Sequence, residues 1–223
     1  MYLLLSVCCS AQTRYCSKIK GEYIIKKSVM EISLNPSGKI PNYVGYYLTP
    51  EIVNGSEERE LSFYQDVSVP EYMRSKSSDY TGSGYDRGHL APAADFRSCK
   101  KLMHESFCMS NIAPQTPKLN RDYWLSVEKF ERSSIKRCDT VYVVSVAICS
   151  QNRYLKNHVK VPSSFIKAVV GVKNHKIVVQ QAWMFRNDSS DQFELKCRRT
   201  ISSVEKSCDV DLFCGFWFDS LLQ

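Results

Sequence analysis

Six residues, Tyr85-Asp86-Arg87-Gly88-His89-Leu90, bring together the side chains best suited to chemistry. A histidine near its intrinsic pKa can take a proton from water at neutral pH, so His89 is a candidate general base. Arg87 offers a planar fork for a phosphate, and Asp86 could orient a partner or a hydrated ion. Gly88 would let the backbone approach a ligand closely. A structural role is the commoner fate of an isolated histidine, so both interpretations stay open at this point.

Asn120 and Glu128 add ligands for a hard metal ion, on a helix that is predicted over 119–135. The helix is indicated by apolar residues that recur at four-residue spacing. An amide oxygen suits Mg²⁺, which keeps most of its waters, and a carboxylate two turns along the same face can hold those waters. The alternatives are a helix N-cap for Asn120 and an ion pair between Glu128 and Arg132 at i+4.

The strands that must position these side chains are predicted from β-branched and aromatic residues between turn signals. The predicted strand regions are 22–34 (one or two strands), 43–48, 140–149, 159–172 and 176–185. The run over 140–149 is apolar throughout, which indicates a strand buried on both faces. A polar surface loop is predicted over 50–66, and few strands are expected over 70–84.

The C-terminal part carries a capping-box pattern, Ser202-x-x-Glu205, which predicts the start of a short helix. Residues 213–218 are strongly aromatic and are expected to pack into the core. No strand–helix alternation is long enough for a doubly wound sheet. The predicted fold class is therefore α+β, with a mixed or antiparallel central sheet flanked by helices.

Length and composition suit one well-filled domain, since the chain has 223 residues and 43% of them are hydrophobic. We predict this domain over 22–223, after a possible signal or targeting segment over 1–21. The formal net charge of +7 suits a polyanionic partner such as nucleic acid, or simple solubility. No apolar run reaches the roughly 18 to 20 residues of a membrane span.

Cysteine usage bears on location. None of the ten cysteines forms a Cys-x-x-Cys pair, which disfavours a zinc ribbon. Their number suits an oxidising compartment, and the first eleven residues resemble a short signal core. Secretion is therefore the predicted location, and a mitochondrial presequence is the alternative.

The order and spacing of several motifs resemble the DNA/RNA non-specific endonuclease family, whose eukaryotic members are the mitochondrial endonuclease G group. The motifs are Asp86-Arg87-Gly88-His89, Ser110-Asn111-Ile112-Ala113-Pro114-Gln115, Leu119-Asn120, Trp124 and Glu128, with Arg74, Tyr80, Gly82-Ser83-Gly84 and Asn157-His158-Val159-x-Val161-Pro162 around them. The resemblance covers most of the chain. It implies a ββα-metal (His-Me finger) active-site unit and a possible homodimer.

This resemblance implies a Mg²⁺-dependent endonuclease that cuts DNA and RNA by in-line attack of water and leaves 5′-phosphate ends; Mn²⁺ would substitute for Mg²⁺. The metal would neutralise the departing 3′ oxygen. The implied roles are general base for His89, direct Mg²⁺ ligand for Asn120, holder of metal-bound waters for Glu128, phosphate clamps for Arg87 and Arg74, support of the site for Asn111, and a place beside the substrate for Asp86.

Two departures from the family pattern concern the groove rather than the chemistry. Relatives usually carry Thr-Gly-Pro where this chain has Ser145-Val146-Ala147-Ile148-Cys149, and Thr81 stands where endonuclease G often has an arginine. The alternatives to an enzyme are a catalytically inactive nucleic-acid-binding relative and a disulfide-rich secreted interaction domain. The site residues His89, Asn120 and Glu128 are all present, which favours the enzyme.

Overall fold

A central antiparallel sheet organises the chain, and a computed structural model describes residues 15–18, 22–192, 194–216 and 218–222. The strands are Cys16–Ser17 (β1), Tyr23–Lys26 (β2), Met30–Asn35 (β3), Ile40–Leu48 (β4), Asp86–His89 (β5), Ile112–Gln115 (β6), Thr140–Ile148 (β7), Ser164–Lys173 (β8), Lys176–Arg186 (β9), Arg198–Arg199 (β10) and Asp211–Leu212 (β11). Seven of them form the central sheet in the order β10-β9-β8-β7-β4-β3-β2, and every neighbouring pair is antiparallel.

Helices cover both faces of this sheet. They are Pro50–Val53 (α1), Lys100–Ser106 (α2), Leu125–Ser134 (α3), Glu194–Cys197 (α4) and Ile201–Cys208 (α5), and a π-helical segment, Leu119–Trp124, runs directly into α3. Short 3₁₀ turns are formed by Glu71–Met73, Ser77–Tyr80, Ala93–Asp95, Met109–Asn111, Ile135–Arg137, Lys156–His158 and Asp219–Leu221. The predicted α+β class, with an antiparallel sheet flanked by helices, is confirmed.

Strand β7 lies in the middle of the sheet and separates two hydrophobic cores. Val141 and Val143 face the core that contains α3, whereas Val144 and Val146 face the core that contains α5. This follows from the alternation of side chains along a strand. The continuous apolar run of β7 therefore has a physical reason, since both faces of the strand are covered.

Three predicted elements differ from those observed. The region predicted as a loop over 50–66 begins with α1, because Pro50 at the first helical position lacks only an N–H that would be unpaired there. Strand β8 begins at Ser164 rather than 159, since Asn157 and His158 both adopt a left-handed conformation with φ of 56°. The cap of α5 is Thr200, whose Oγ1 accepts from the Ser203 N–H over 3.1 Å, so the predicted Ser202 lies within the helix.

The ends of the predicted domain are partly described. Cys16 and Ser17, within the predicted targeting segment, pair with β11, while residues 1–14 lie outside the described residues. The described cysteines Cys99, Cys108, Cys138, Cys149 and Cys208 are thiols rather than disulfides. None of the described helices is long and apolar enough to cross a membrane.

Candidate active site

Strands β5 and β6 form a separate two-stranded antiparallel sheet, in which His89 lies opposite Ile112. The chain then enters the π-helical segment and α3, so the strand–strand–helix order implied by the resemblance is present. Two hydrogen bonds fix β5 to this helix. Asn120 Nδ2 donates to Asp86 Oδ2 over 3.0 Å, and Trp124 Nε1 donates to the His89 carbonyl over 3.0 Å.

His89 ends β5 in a pocket of aromatic rings, with 7% of its surface exposed. Its ring centroid lies 5.3 Å from that of Phe63 and 5.0 Å from that of Phe107. Burial, followed by the positive charge of Arg59, lowers the pKa of His89 to about 3. The imidazole is therefore neutral at pH 7. Its Nε2 atom has no hydrogen-bond partner among the described residues.

Arg59 is a cation beside the site that the sequence did not indicate. Its guanidinium carbon lies 5.0 Å from the ring centroid of Phe107, and its charge acts on both His89 and Glu128. The residues around it, Glu-Glu-Arg-Glu, look like an ordinary polar loop. We find no sequence signal that would have singled out this arginine.

Asp86 positions the residues around it. Besides accepting from Asn120, it forms a two-pronged ion pair with Arg121, whose Nε and Nη2 donate to Oδ2 and Oδ1 over 2.8 Å each. The hydrogen bonds from Arg121 are the largest cause that holds the pKa of Asp86 below its usual range. Both carboxylate oxygens of Asp86 therefore accept hydrogen bonds from side chains of the protein, those of Asn120 and Arg121. Arg121, which keeps 68% of its side chain exposed, is the group of this pair that a phosphate can reach.

Asn120 is not the helix N-cap that was one of its two possible roles. Thr116 takes that role, because its Oγ1 accepts from the Leu119 N–H over 3.4 Å while its carbonyl accepts from the Asn120 N–H over 2.9 Å. The side chain of Asn120 is thereby left for the site. Its Nδ2 is occupied by Asp86, so Oδ1 is the atom that remains to bind a ligand.

Glu128 lies half-buried on α3, two helical turns beyond Asn120. Burial raises its pKa to about 7, and the nearby charge of Lys167 opposes this rise. The alternative ion pair with Arg132 is not formed, since Arg132 Nη1 instead contacts the buried carboxylate of Asp95. Glu128 is therefore available as an acceptor of hydrogen bonds from metal-bound water.

A fully buried ion pair that the sequence motifs did not predict lies next to the site. Lys167 Nζ donates to both carboxylate oxygens of Glu131, over 3.1 and 3.0 Å, and both side chains are 0% exposed. The same ammonium donates to Tyr46 Oη over 3.0 Å and to the Leu90 carbonyl over 3.4 Å. It therefore connects β8, α3, β4 and the residue that follows His89.

Asn111 supports the site without reaching the substrate. Its Oδ1 accepts from the Ala91 N–H over 2.9 Å, and its Nδ2 donates to the carbonyls of Ala91 and Ser106 over 2.8 Å each. The residue is 0% exposed, and every polar atom of its amide is used. The geometry is that of a positioning residue which fixes the chain just beyond His89.

Gly88 has a different purpose from the one predicted. A Cβ atom at this position would lie 2.2 Å from Gln115 Oε1, so the space beside Gly88 is filled by the Gln115 amide rather than by a ligand. The predicted close approach of a ligand to Gly88 is therefore wrong for the side of the backbone on which a Cβ atom would lie. A larger residue at this position would have to displace the Gln115 side chain of the facing strand.

Arg87 and Arg74 are both held by backbone carbonyls. Arg87 donates from Nε and Nη2 to the Ser77 carbonyl over 3.1 and 2.5 Å, and from Nη2 to Thr81 Oγ1 over 3.2 Å. Arg74 donates from Nε to the Val69 carbonyl over 2.6 Å. Each guanidinium thus fixes a loop. In both arginines, Nη1 is the donor group that has no partner among the described residues. Their contacts with phosphate stay predictions.

The donor set around Asn120 fits a hard, strongly hydrated cation. Among the described residues, no group of three or more His, Cys, Asp or Glu side chains could hold a metal ion. A cation that keeps most of its waters needs no such group. The Asn120 Oδ1 atom, oriented by the bond from Nδ2 to Asp86, and the half-buried carboxylate of Glu128 supply the oxygen ligands that such an ion prefers.

Comparison with known proteins gives one family. Residues 12–217 match the DNA/RNA non-specific endonuclease family. Human "Endonuclease G, mitochondrial" is 40% identical over 136 residues, which cover 55% of this chain and 46% of that protein. Nuclease C1 of Cunninghamella echinulata var. echinulata is 30% identical over 203 residues, covering 82% and 79% of the two chains. The chain thus spans about half of the length of endonuclease G and most of that of Nuclease C1.

Two further comparisons agree. The "Mitochondrial nuclease" of Saccharomyces cerevisiae is 35% identical over 147 residues, covering 58% of this chain and 45% of that protein. A solved structure described as "Crystal structure of the EndoG/EndoGI complex: Mechanism of EndoG inhibition" superposes with a TM-score of 0.77, at 31% identity, over 85% of each chain.

The lowered pKa of His89 predicts how stability depends on pH. Between pH 6.5 and about 3 the unfolded chain protonates this histidine and the folded protein does not, so acid destabilises the fold. In metal-free buffer, the stability difference between wild type and His89→Gln should shift by about 2 kcal/mol against wild type from pH 7 to pH 5. Urea unfolding at the two pH values measures this shift. His175→Gln, in the exposed turn between β8 and β9, is the control, and a pH-independent difference for His89→Gln would contradict the prediction.

Proposed function

Because this chain belongs to the DNA/RNA non-specific endonuclease family, we propose that it is a divalent-metal-dependent endonuclease that hydrolyses phosphodiester bonds in DNA and RNA. The proposal rests on the two hydrogen bonds that fix β5 to the helix. They hold an unprotonated His89 and the Asn120 amide in one rigid unit. A general base and a metal ligand held on one frame are what water-dependent phosphodiester cleavage requires.

His89 accepts the proton of the attacking water through its neutral imidazole. Phe63 and Phe107 pack against its ring, and burial keeps the base unprotonated at neutral pH. Attack in line with the departing 3′ oxygen leaves 5′-phosphate ends. Asn111 keeps His89 in place by fixing the chain that follows it.

Asn120 Oδ1 would bind Mg²⁺, or Mn²⁺ in its place, and Glu128 would accept hydrogen bonds from the waters of the ion. When bound, the ion neutralises charge on the phosphate oxygens and on the departing oxygen. Asp86 orients Asn120 for this purpose and presents Arg121 to the phosphate. Arg87 and Arg74 contribute charge through guanidinium groups that the loops hold still.

Contacts of these kinds reach phosphate and not bases, so we expect cleavage with little dependence on base sequence. The alternative of an inactive nucleic-acid-binding relative would require one of His89, Asn120 or Glu128 to be displaced. The bonds from Asn120 to Asp86 and from Trp124 to the His89 carbonyl tie two of them to one frame, which supports the enzyme. The homodimer implied by the resemblance stays a prediction.

A plasmid-relaxation assay separates the enzyme from the inactive alternative. Purified protein should relax supercoiled DNA and degrade RNA with Mg²⁺, and EDTA should abolish both activities. His89→Ala should lower the rate by about 10²- to 10⁴-fold, because the general base is lost. His104→Ala, which removes an exposed histidine elsewhere, should retain the wild-type rate. Equal rates for wild type and His89→Ala would show that His89 is not the base.

Asn120→Ala tests the metal ligand. It should lose activity that raised Mg²⁺ partly restores, because a direct ligand is removed while Glu128 remains. Since Thr116 caps the helix, the midpoint of thermal unfolding should change little. The apparent Mg²⁺ affinity, taken from the rate as a function of Mg²⁺ concentration, is the quantity to compare. Unchanged affinity, or a collapse of the fold seen by circular dichroism, would contradict the assignment.

Mitochondrial residence is the location that the comparisons favour over secretion. Human endonuclease G, the yeast nuclease and the Xenopus laevis relative are all named as mitochondrial. The full chain with a C-terminal fluorescent protein should co-localise with a mitochondrial marker in transfected cells. Appearance of the fusion in the culture medium would instead support the secretion predicted from the cysteine count.

A further inference from the structure

A basic groove lies between α1 and the C-terminal half of α3, outside the site described above. We name it the α1–α3 groove. It has a volume of about 520 Å³ and is lined by Pro50, Val53, Asn54, Lys129, Arg132, Ser133, Ile135 and Lys136. Three of these residues are cations and none is an acid. Asn54 and Ser133 add neutral polar groups, and the remaining side chains form an apolar floor.

The charge of the groove is not neutralised internally. Arg132 is paired with the buried Asp95, but Lys129 and Lys136 are exposed and have no carboxylate within ion-pair distance in the described part of the chain. Most other cations near the site are engaged, as Arg121 is with Asp86 and Lys167 is with Glu131. Two uncompensated ammonium groups that face one groove attract a ligand with repeated negative charge.

The groove continues from the candidate site along the same helix. Arg132 lies one turn beyond Glu128, its charge acts on that carboxylate, and its side chain lines the groove. Lys136 follows seven residues after Lys129, which corresponds to about 10 Å along a helix axis. Flexible lysine side chains at that separation can reach different phosphates of one backbone. A strand that enters the site can therefore contact both lysines.

We propose that the α1–α3 groove binds the phosphate backbone of the substrate strand beside the bond that is cut. The inference rests on the proposed function and deepens it, since it extends the substrate contact beyond the catalytic unit. The ligand class is a nucleic-acid strand read by charge, without base recognition. The lysines hold the strand in place, and neither takes part in the chemistry.

Binding of a fluorescein-labelled 20-nucleotide DNA strand, measured by fluorescence anisotropy over a range of KCl concentrations, tests the groove. The measurement is made in EDTA on the His89→Ala background, with and without Lys129→Gln/Lys136→Gln. Loss of two phosphate contacts should reduce the slope of log Kd against log [KCl] by about 1.4 and weaken binding about tenfold near 0.1 M salt. Both lysines are exposed, so the variant should fold normally, which thermal unfolding verifies.

The control is Lys26→Gln/Lys206→Gln, which removes the same charge at the edge strand β2 and at α5, on the opposite face of the sheet. If both double variants change the slope equally, net charge explains the effect and the groove is not a binding surface. If the groove variant matches its parent, the proposal is also overturned. A groove-dependent slope in a protein that cuts no nucleic acid would support the groove while refuting the proposed enzyme.

With His89 intact and Mg²⁺ present, the groove variant should raise KM for a 20-nucleotide substrate while kcat stays unchanged. A dinucleotide carries no phosphate other than the one that is cut, so its cleavage should be unaffected. A fall in kcat with the dinucleotide would place these lysines in the chemistry and overturn the assignment to backbone binding.

Discussion

The buried ion pair between Lys167 and Glu131 is the interaction on which the arrangement of the site depends. Taking two charges out of water costs several kcal/mol for each ion, and the pair is stable only if the remaining donors and acceptors are satisfied. Here Tyr46 and the Leu90 carbonyl accept the other protons of the ammonium. The position of α3 is therefore restricted, because a shift of this helix would leave a buried charge unpaired at a cost of about 3 to 5 kcal/mol.

This constraint passes directly to the functional side chains. Glu131 fixes the rotation of α3 on the sheet, and Glu128 lies one turn earlier on the same helix. The hydrogen bond from Lys167 to the Leu90 carbonyl holds the residue that directly follows β5. Burial then suppresses charge on both groups, since it lowers the pKa of His89 and raises that of Glu128. Burial thus supplies an unprotonated base in His89 and, in Glu128, a carboxyl group whose ionised form a nearby cation would stabilise.

Sequence patterns predicted the sheet and the order of the motifs, because both depend on local alternation and on short spacings. They did not predict the π-helical segment, which carries Asn120 and Trp124, the two residues that bond to β5. The surroundings of Gly88 could not be predicted either, because the side chain beside it is that of Gln115, which lies on the facing strand and is distant in sequence. One signal was present but unused: Lys167 alternates with Phe165 and Val169 and so lies on the buried face of its strand.

The distribution of charge separates the chemistry from the attraction of substrate. Two cations of the site are paired with carboxylates, Arg121 with Asp86 and Arg132 with Asp95. These pairs neutralise each other and contribute geometry rather than field. The formal net charge of +7 must therefore act mainly through exposed residues that lack such partners, and Lys129 and Lys136 are two of them. A protein built this way can keep its catalytic geometry when salt screens its surface, while its affinity for a polyanion falls.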